Sequence, residues 1–198
     1  MNITFFIKSV TINIEKFNIK DIAGSSGRLD VISRCILAAI LGFDYFEKNI
    51  QIWIFLNRYG TFVFDTKLLN YENFPKNEIK FTDFFVRFLR NKFSSIEPQF
   101  NPLNLVNSPK LNFLEAIKHF QELNYDLYIL SEQGLDFKVK LRDIKNAENI
   151  LFIIGSQKDE FLNSEELLSL KIPTICIGNQ LYLASSVIRL LKLHKIAF

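Results

Sequence analysis

The C-terminal part of the chain alternates short apolar runs with glycine-containing loops. Strand-to-loop units lie at Tyr128–Gly134, Leu151–Gln157 and Thr174–Leu191, and the last reads TICIGNQLYLASSVIRLL. Strands that alternate with helices predict an α/β fold with a largely parallel sheet covered on both faces. Loops at the carboxyl ends of such strands form the usual ligand site. We therefore expect the three loops to share one pocket, although a glycine in any single loop is also typical of an ordinary turn.

The last of these loops carries no charge between its strand and its helix. It therefore offers a ligand backbone N–H and C=O groups, which favours recognition by shape and by main-chain hydrogen bonds. Glu132 directly follows the first of the three strands, in the run Leu130–Gly134, which reads LSEQG.

The apolar periodicity along the whole chain predicts further elements. The predicted strands are Ile3–Lys8, Asn49–Asn57, Thr61–Asp65, Leu127–Leu130, Leu151–Ile154 and Thr174–Ile177, and the predicted helices lie within Gly24–Phe43 and at Lys80–Phe93, Asn112–Leu123, Ser164–Leu170 and Leu183–Leu193. We expect Thr61–Asp65 to pair back onto the preceding strand through the turn Arg58–Gly60. Thr82 is the predicted cap of its helix. Ser94–Lys110 holds three of the five prolines and predicts a long loop.

Composition limits the class of protein. A chain of 198 residues accommodates one α/β domain, or one domain with a large insertion, and 48% hydrophobic residues exclude a disordered chain. The net charge of +3 permits a nucleic-acid partner and equally fits an ordinary surface.

Cys35 and Cys176 both lie in apolar runs, so we expect buried thiols rather than a disulfide. No apolar run approaches a membrane span, and the N-terminus lacks a signal peptide, so we expect a soluble cytoplasmic protein.

The standard catalytic motifs are absent from the sequence. His119 and His194 are its two histidines, and they lack metal-ligand spacing. There is no GxGxxG, P-loop or GxSxG motif, which argues against dinucleotide enzymes, NTPases and α/β-hydrolases. The sequence predicts no metal site.

Three charged residues stand at the start of an otherwise apolar helix within Gly24–Phe43. Asp30 and Arg34 have the i, i+4 spacing of a helical salt bridge. Arg28 follows two glycines and two serines, where the chain can approach a ligand closely, and a helix N-terminus attracts phosphate. Both interpretations, an internal salt bridge and an anion clamp, stay open at this point.

These runs together resemble a known family, the archaeal tRNA pseudouridine-54 N1-methyltransferases of the SPOUT superfamily. GRLDVISRCILAAI, from Gly27, is similar to that family's signature at the start of its first long helix. IWIFLN, LSEQG, IIG and IGNQLYLASSVI resemble its second strand and its three later loops. The resemblance implies a parallel sheet flanked by helices with a C-terminal deep trefoil knot, a homodimer, and S-adenosylmethionine as cofactor. It implies one domain over residues 1–198, with the knot and cofactor site at about 125–198.

The resemblance also assigns site residues by motif position. Those expected to contact S-adenosylmethionine are Leu130, Gly155, Ile177, Gly178, Asn179, Gln180, Leu181, Tyr182 and Val187. Arg28 and Asp30 are the expected catalytic residues: Asp30 as a base or an orienting group, and Arg28 as a ligand for RNA phosphate or for the base. Lys8, Arg28, Arg34 and Arg58 are expected to hold the RNA backbone. The target base is expected to flip out of a folded tRNA arm.

The chain departs from the family pattern beside the expected cofactor site. Ser156, Gln157 and Lys158 stand where the family has Asp-His and a glycine, and Val187 stands where it has cysteine. The altered loop favours a second hypothesis, a SPOUT-like RNA-binding protein without transferase activity. A third keeps the reaction and moves the target to ribosomal RNA; the related family with that target carries an insertion for which 198 residues leave little room.

Overall fold

One six-stranded sheet runs through the computed structural model, which describes residues 2–92, 100–155, 164–178, 180 and 182–196. Its strands are β1 (Asn2–Ser9), β2 (Ile50–Leu56), β3 (Gly60–Asp65), β4 (Asp126–Asp136), β5 (Asn149–Ile154) and β6 (Thr174–Cys176). They lie in the order β3-β2-β1-β5-β4-β6. β3 is antiparallel to β2, and every other pairing is parallel. The predicted parallel sheet, and the return of Thr61–Asp65 onto the preceding strand, are confirmed.

Helices cover both faces of this sheet. They are α1 (Ile22–Ser25), α2 (Leu29–Ile40), α3 (Glu78–Lys92), α4 (Phe113–Glu122), α5 (Phe137–Asn146), α6 (Glu165–Ser169) and α7 (Ala184–Ile196), with a 3-10 helix at Pro102–Leu105. α2, α3, α5 and α7 pack on the face that contains Phe5 and Ile7, and α4 and α6 pack on the face that contains Phe6. Because both faces are covered, β1 reads as a continuous apolar run rather than an alternating one.

Aromatic side chains fill the layer under α4. The ring of Phe6 lies 5.0 Å from that of Phe55, 5.2 Å from Phe120 and 5.5 Å from Trp53, measured between centroids. These tilted and edge-to-face pairs are the arrangements that aromatic rings prefer. Much of the high phenylalanine content therefore lies in the core.

The structure differs from the sequence prediction at two helices, each for a physical reason. α3 begins at Glu78, and Asn77 Oδ1 accepts the Lys80 N–H at 2.9 Å, whereas Thr82 lies buried inside the helix. α5 was not predicted, because only Phe137 and Ile144 are buried on it and its apolar repeat is correspondingly weak. Of the predicted loop Ser94–Lys110, residues 94–99 lie outside the described residues.

A tight turn fixes the start of α2. Gly27 and Arg28 both adopt left-handed backbone conformations, with φ of 63° and 73°. Ser26 Oγ accepts the Leu29 N–H at 3.0 Å, which caps the helix, and Thr11 Oγ1 donates to the Gly27 carbonyl at 2.8 Å. The turn is thereby tied to the segment that follows β1.

None of the helices in the described ranges is long and apolar enough to cross a membrane. The trefoil knot that the resemblance implies stays a prediction.

Replacing Gly27 by alanine should destabilise the fold by about 3 kcal/mol, which combines left-handed strain with overpacking. A Cβ at this position would lie 1.9 Å from the Thr11 carbonyl oxygen. Gly60→Ala is the matched control, because Gly60 also has a positive φ of 94° but a Cβ there would meet no atom within 4 Å. The control should cost about 1 kcal/mol. Urea unfolding of both variants measures the difference, and equal stabilities would contradict the steric argument.

Candidate functional site

The carboxyl ends of β4, β5 and β6 converge on one cavity of about 340 Å³. Parallel pairing brings these ends to the same edge of the sheet, so the loops after the strands meet there. Its lining residues are Leu130, Ser131, Glu132, Gln133, Ile154, Gly155, Ile175, Cys176, Ile177, Gly178, Gln180, Tyr182, Ala184 and Val187. The shared pocket expected from the three strand-to-loop units is therefore present.

The residues that the resemblance assigns to the cofactor lie together in this cavity. Leu130, Gly155, Ile177, Gly178, Gln180, Tyr182 and Val187 all line it. Asn179 and Leu181 lie outside the described residues. The structure adds Ser131, Glu132, Gln133, Cys176 and Ala184 to the lining set. Glu132 was signalled by its place directly after a strand. Ser131, Gln133 and Ala184 lie within the runs LSEQG and IGNQLYLASSVI but were not singled out, and Cys176 was expected to be buried.

The first wall of the cavity is an irregularity in β4. Leu130 and Leu135 both lie opposite Ile175 of β6, so residues 131–134 leave the ladder between them. A Cβ on Gly134 would lie 2.5–2.6 Å from the Ile175 backbone. Only glycine permits this close approach. Ser131, Glu132 and Gln133 of this excursion line the cavity.

The opposite wall is the loop from β6 to α7. Gly178 has φ of 95°, a conformation that glycine adopts without strain, and Gln180 and Tyr182 follow it along the cavity. Among the lining residues that the structure describes, Glu132 carries the one charge, and it lies exposed. The cavity is therefore polar, close to neutral and acidic at one point.

A compact ionic cluster occupies the first turn of α2. Asp30 Oδ1 accepts from Arg28 Nε at 3.0 Å, and Asp30 Oδ2 accepts from Arg28 Nη2 at 3.2 Å and from Arg34 Nη2 at 2.7 Å. Arg34 Nε also lies 3.6 Å from Glu78 Oε2. Hydrogen bonding to Asp30, with its negative charge, raises the pKa of Arg28 above its ordinary value. The internal salt bridge expected from the spacing is present, and Arg28 joins it.

This cluster restricts what Asp30 can do chemically. Its side chain is 10% exposed, and both of its oxygens accept hydrogen bonds from guanidinium groups. A carboxylate held in this way by two arginines is arranged to orient them. Arg28 keeps 41% of its side-chain surface exposed, so it can reach a ligand while it stays paired with Asp30.

The cluster and the cavity lie at the same edge of the sheet. α2 follows β1 and α7 follows β6, and both strands end at this edge. Both helices therefore begin there and run side by side on one face of the sheet. Arg28 and Asp30 begin α2, while Ala184 and Val187 of the first turns of α7 line the cavity.

The remaining candidate RNA ligands are divided between the two faces. Lys8 Nζ lies 5.5 Å above the Phe113 ring, in a groove of about 460 Å³ at the ends of β1 and β2, which Lys110 also lines. Arg58 lies in the turn that follows β2, with its Nη1 atom 4.0 Å from Glu15 Oε1. Arg34 lies on the other face, in the α2 layer. The structure does not gather the predicted cations into one patch.

Neither histidine joins the site. His119 lies on α4 beside Phe120, and the His194 ring lies 5.2 Å from that of Phe137. Within the described ranges, no group of three or more His, Cys, Asp or Glu side chains could hold a metal ion.

Comparison with known proteins decides the class. A family model described as "Putative SAM-dependent RNA methyltransferase" matches residues 3–196. The chain belongs to this family. The cavity at the ends of β4, β5 and β6, together with the neighbouring start of α2, is the candidate site of this methyltransferase.

Individual relatives align with this chain over most of its length. Proteins named tRNA (pseudouridine(54)-N(1))-methyltransferase from Thermococcus onnurineus and Thermococcus gammatolerans are 25% and 26% identical over 192 and 196 residues. Each alignment covers 93% of this chain and 92% of the relative. A protein of the same name from Methanococcoides burtonii is 25% identical over 156 residues, which cover 77% of this chain and 74% of the relative.

A solved structure shares the fold. The crystal structure of Archaeoglobus fulgidus Nep1 bound to S-adenosylhomocysteine matches with a TM-score of 0.66 and 11% identity. The match covers 100% of this chain and 98% of that one. At this identity the likeness concerns the fold alone.

The cavity fits the cofactor of the family. Its volume of about 340 Å³ lies within the range of small-molecule sites. Backbone groups around Gly155 and Gly178 can bind neutral polar groups of an adenosine, and the Glu132 carboxylate suits a ligand that carries positive charge.

The two cysteines provide a direct test of the cavity. At pH 8, iodoacetamide should alkylate Cys176, which is partly exposed and lines the cavity, and should spare Cys35. Burial raises the pKa of Cys35 to about 12, so its reactive thiolate is scarce below that pH. Peptide mass spectrometry measures both labels, and unfolding in urea should make both thiols reactive. S-adenosylhomocysteine should slow the labelling of Cys176. Equal labelling of the two thiols in the folded protein would contradict this placement.

Proposed function

We propose that this chain transfers a methyl group from S-adenosylmethionine to N1 of pseudouridine 54 in tRNA. The observation that carries the proposal is one cavity, built by three loops at the ends of parallel strands, beside an arginine and an aspartate at the start of α2. The names of relatives that align along nearly the whole chain support the choice of tRNA.

The residues around the cavity have separate roles in holding the cofactor. Leu130, Ile177 and Val187 supply apolar contacts, while Gly155 and Gly178 allow the backbone to come close. Glu132 provides a negative charge opposite a cationic ligand. When bound, S-adenosylmethionine supplies a methyl group that its sulfonium makes electrophilic.

The Arg28–Asp30 pair would hold the acceptor. Because both Asp30 oxygens are engaged, Asp30 orients Arg28 rather than removing a proton, and Arg28 binds an RNA phosphate or the target base. Arg28 would hold the acceptor while its N1 proton leaves to water, and the bound cofactor would supply the methyl group and leave as S-adenosylhomocysteine. Rate enhancement then comes from holding donor and acceptor in line at roughly 3–3.5 Å.

The tRNA backbone would cross the same edge of the sheet. Lys8 and Lys110 line the groove at the ends of β1 and β2, with Arg58 in the turn that follows β2. Parallel strands lie about 4.8 Å apart, so this groove and the cavity are within the span of a few nucleotides. Arg28 is the candidate phosphate ligand between them, and Arg34 supports it through Asp30.

The decisive experiment incubates purified protein with methyl-labelled S-adenosylmethionine and tRNA that contains pseudouridine 54. Labelled N1-methylpseudouridine is the expected product, and the same tRNA with uridine 54 should remain unlabelled. Label in a ribosomal RNA fragment but not in tRNA would favour the ribosomal target.

The non-catalytic hypothesis has its own discriminating measurement. The residues that motivate it, Ser156, Gln157 and Lys158, lie outside the described residues. Calorimetry with S-adenosylmethionine separates the two hypotheses, because an RNA-binding protein without transferase activity should bind tRNA and show no heat with the cofactor.

Asp30→Asn and Arg28→Lys should each lower kcat about 100-fold, because both break the same bidentate pair and misplace the acceptor by about 1 Å. The double variant should be no worse than either single variant. Arg87→Lys, at an exposed arginine of α3 that pairs with Asp83, is the matched control and should keep kcat within about twofold. A base role for Asp30 predicts instead that Asp30→Asn loses far more than Arg28→Lys. Steady-state kinetics with tRNA decides between these outcomes.

We further propose that the chain forms a homodimer, as the resemblance implies. A groove of about 700 Å³ between α2 and α7 has Leu41, Phe43 and Leu193 in its lining, and Phe43 is 92% and Leu193 61% exposed. Exposed apolar surface of this kind is typical of an interface.

Phe43→Glu should shift a dimer toward the 23.2 kDa monomer in light scattering. Phe100→Glu, at another exposed phenylalanine (82% exposed), should not. A monomeric wild type would refute the proposal.

The continuous sheet from β3 to β6 supports one domain over residues 1–198, with the cofactor site at about 125–198. The trefoil knot belongs to the same proposal. A tRNA substrate supports a cytoplasmic location.

A further inference from the structure

A buried lysine on α7 contacts the end of α2. Lys192 is 8% exposed, and its Nζ donates to the carbonyl oxygens of Ala38 and Leu41, both at 2.9 Å. The same atom lies 3.2 Å from Glu47 Oε1. An ammonium group has three N–H donors, and each therefore has an acceptor.

The end of α2 requires a donor at this point. Leu41 N–H closes the last regular bond to the Leu37 carbonyl, but Gly42 N–H turns away to the Tyr45 carbonyl at 2.8 Å. The Ala38 carbonyl thereby loses the donor that the next helical residue would have provided. Lys192 takes that place, and its positive charge is favourable at the negative end of the helix.

Glu47 completes the arrangement from the segment after α2. Its backbone N–H donates to the Ile40 carbonyl at 2.9 Å, so its carboxylate is fixed relative to the same helix end. Burial lowers the pKa of Lys192, while Glu47 opposes that shift. A buried ammonium is costly unless it is fully paired, and here the pairing is complete.

These contacts fix the position of α7 along its own axis relative to α2, which apolar packing alone does not do. Ile188 and Leu191 of α7 are buried in the same core. Apolar contact is non-directional and tolerates sliding, whereas three hydrogen bonds to one nitrogen define a position. Lys192 thus sets the axial register of α7 against α2.

We propose that Lys192 is a positioning residue for methyl transfer, which rests on the function proposed above. Val187 lines the cofactor cavity five residues before Lys192, about 8 Å along the helix axis. α2 carries Arg28 and Asp30 at its start and the carbonyl acceptors of Lys192 at its end. The contact therefore sets the distance between the wall of the donor cavity and the residues that hold the acceptor.

The test compares Lys192→Met with Lys67→Met. Lys67 is an exposed lysine just after β3, which runs antiparallel to β2 and ends at the edge of the sheet opposite the cavity, so the control makes the same substitution without touching α2 or α7. Three quantities are measured well below the melting temperature of each variant: the Kd for S-adenosylhomocysteine by calorimetry, the KM for tRNA, and kcat. Lys192→Met should lower kcat at least tenfold and keep the Kd within about threefold, because 1 Å of misplacement costs about 100-fold in rate. Lys67→Met should leave kcat within about twofold.

Two results would overturn the proposal: an unchanged kcat in folded Lys192→Met, or a loss of S-adenosylhomocysteine affinity as large as the loss of kcat. The second result would mean that Lys192 builds the cavity rather than setting its distance from Arg28. If Lys192→Met does not fold, Glu47→Gln replaces it, since that variant keeps both carbonyl contacts. It should lower kcat about three- to fivefold at unchanged Kd, and a wild-type kcat would refute the proposal. An inactive wild type would instead refute the proposed function.

Discussion

Parallel pairing of β1 with both β2 and β5 determines where everything else in this protein lies. Because β4 and β6 continue in the same direction, five strands end at one edge of the sheet. The loops after them, and the helices that follow β1 and β6, must then begin at that edge. The cofactor cavity and the Arg28–Asp30 pair are neighbours for this reason, although they are far apart along the chain.

Charged side chains form hydrogen bonds at both ends of α2. Asp30 binds two arginines at the start of α2, and Lys192 and Glu47 bind its end. The two buried ions of this set, Asp30 and Lys192, each have partners at hydrogen-bond distance, which is the condition under which buried charge is tolerated. α2, which carries the proposed acceptor ligands, is therefore held at both ends, while the lining of the cavity that the structure describes is nearly neutral.

The sequence predicted those features that depend on local pattern. The strands β1, β2 and β5 are long apolar runs, and the loops after β4, β5 and β6 could be recognised by their glycines. α5 has no such pattern because it buries only Phe137 and Ile144. Asn77, rather than Thr82, caps α3, and residue spacing alone does not show which of the two does so. The contact between Lys192 and Ala38 was not predictable, since it joins residues 154 positions apart and a lysine in an amphipathic helix ordinarily faces water. The i, i+4 spacing of Asp30 and Arg34 predicts their salt bridge, whereas the contact of Arg28 with Asp30 accompanies a left-handed backbone at Arg28 that spacing does not reveal.

The close approach of Gly134 to the backbone of β6 has a consequence for how ligand binding and folding are linked. No side chain separates the first wall of the cavity from the strand that leads into the last, so neither wall can take its shape without the other. The cavity is a property of the finished sheet rather than of any one loop. A ligand bound there stabilises only the complete fold, and by mass action the whole domain should become more resistant to unfolding and proteolysis as its concentration rises.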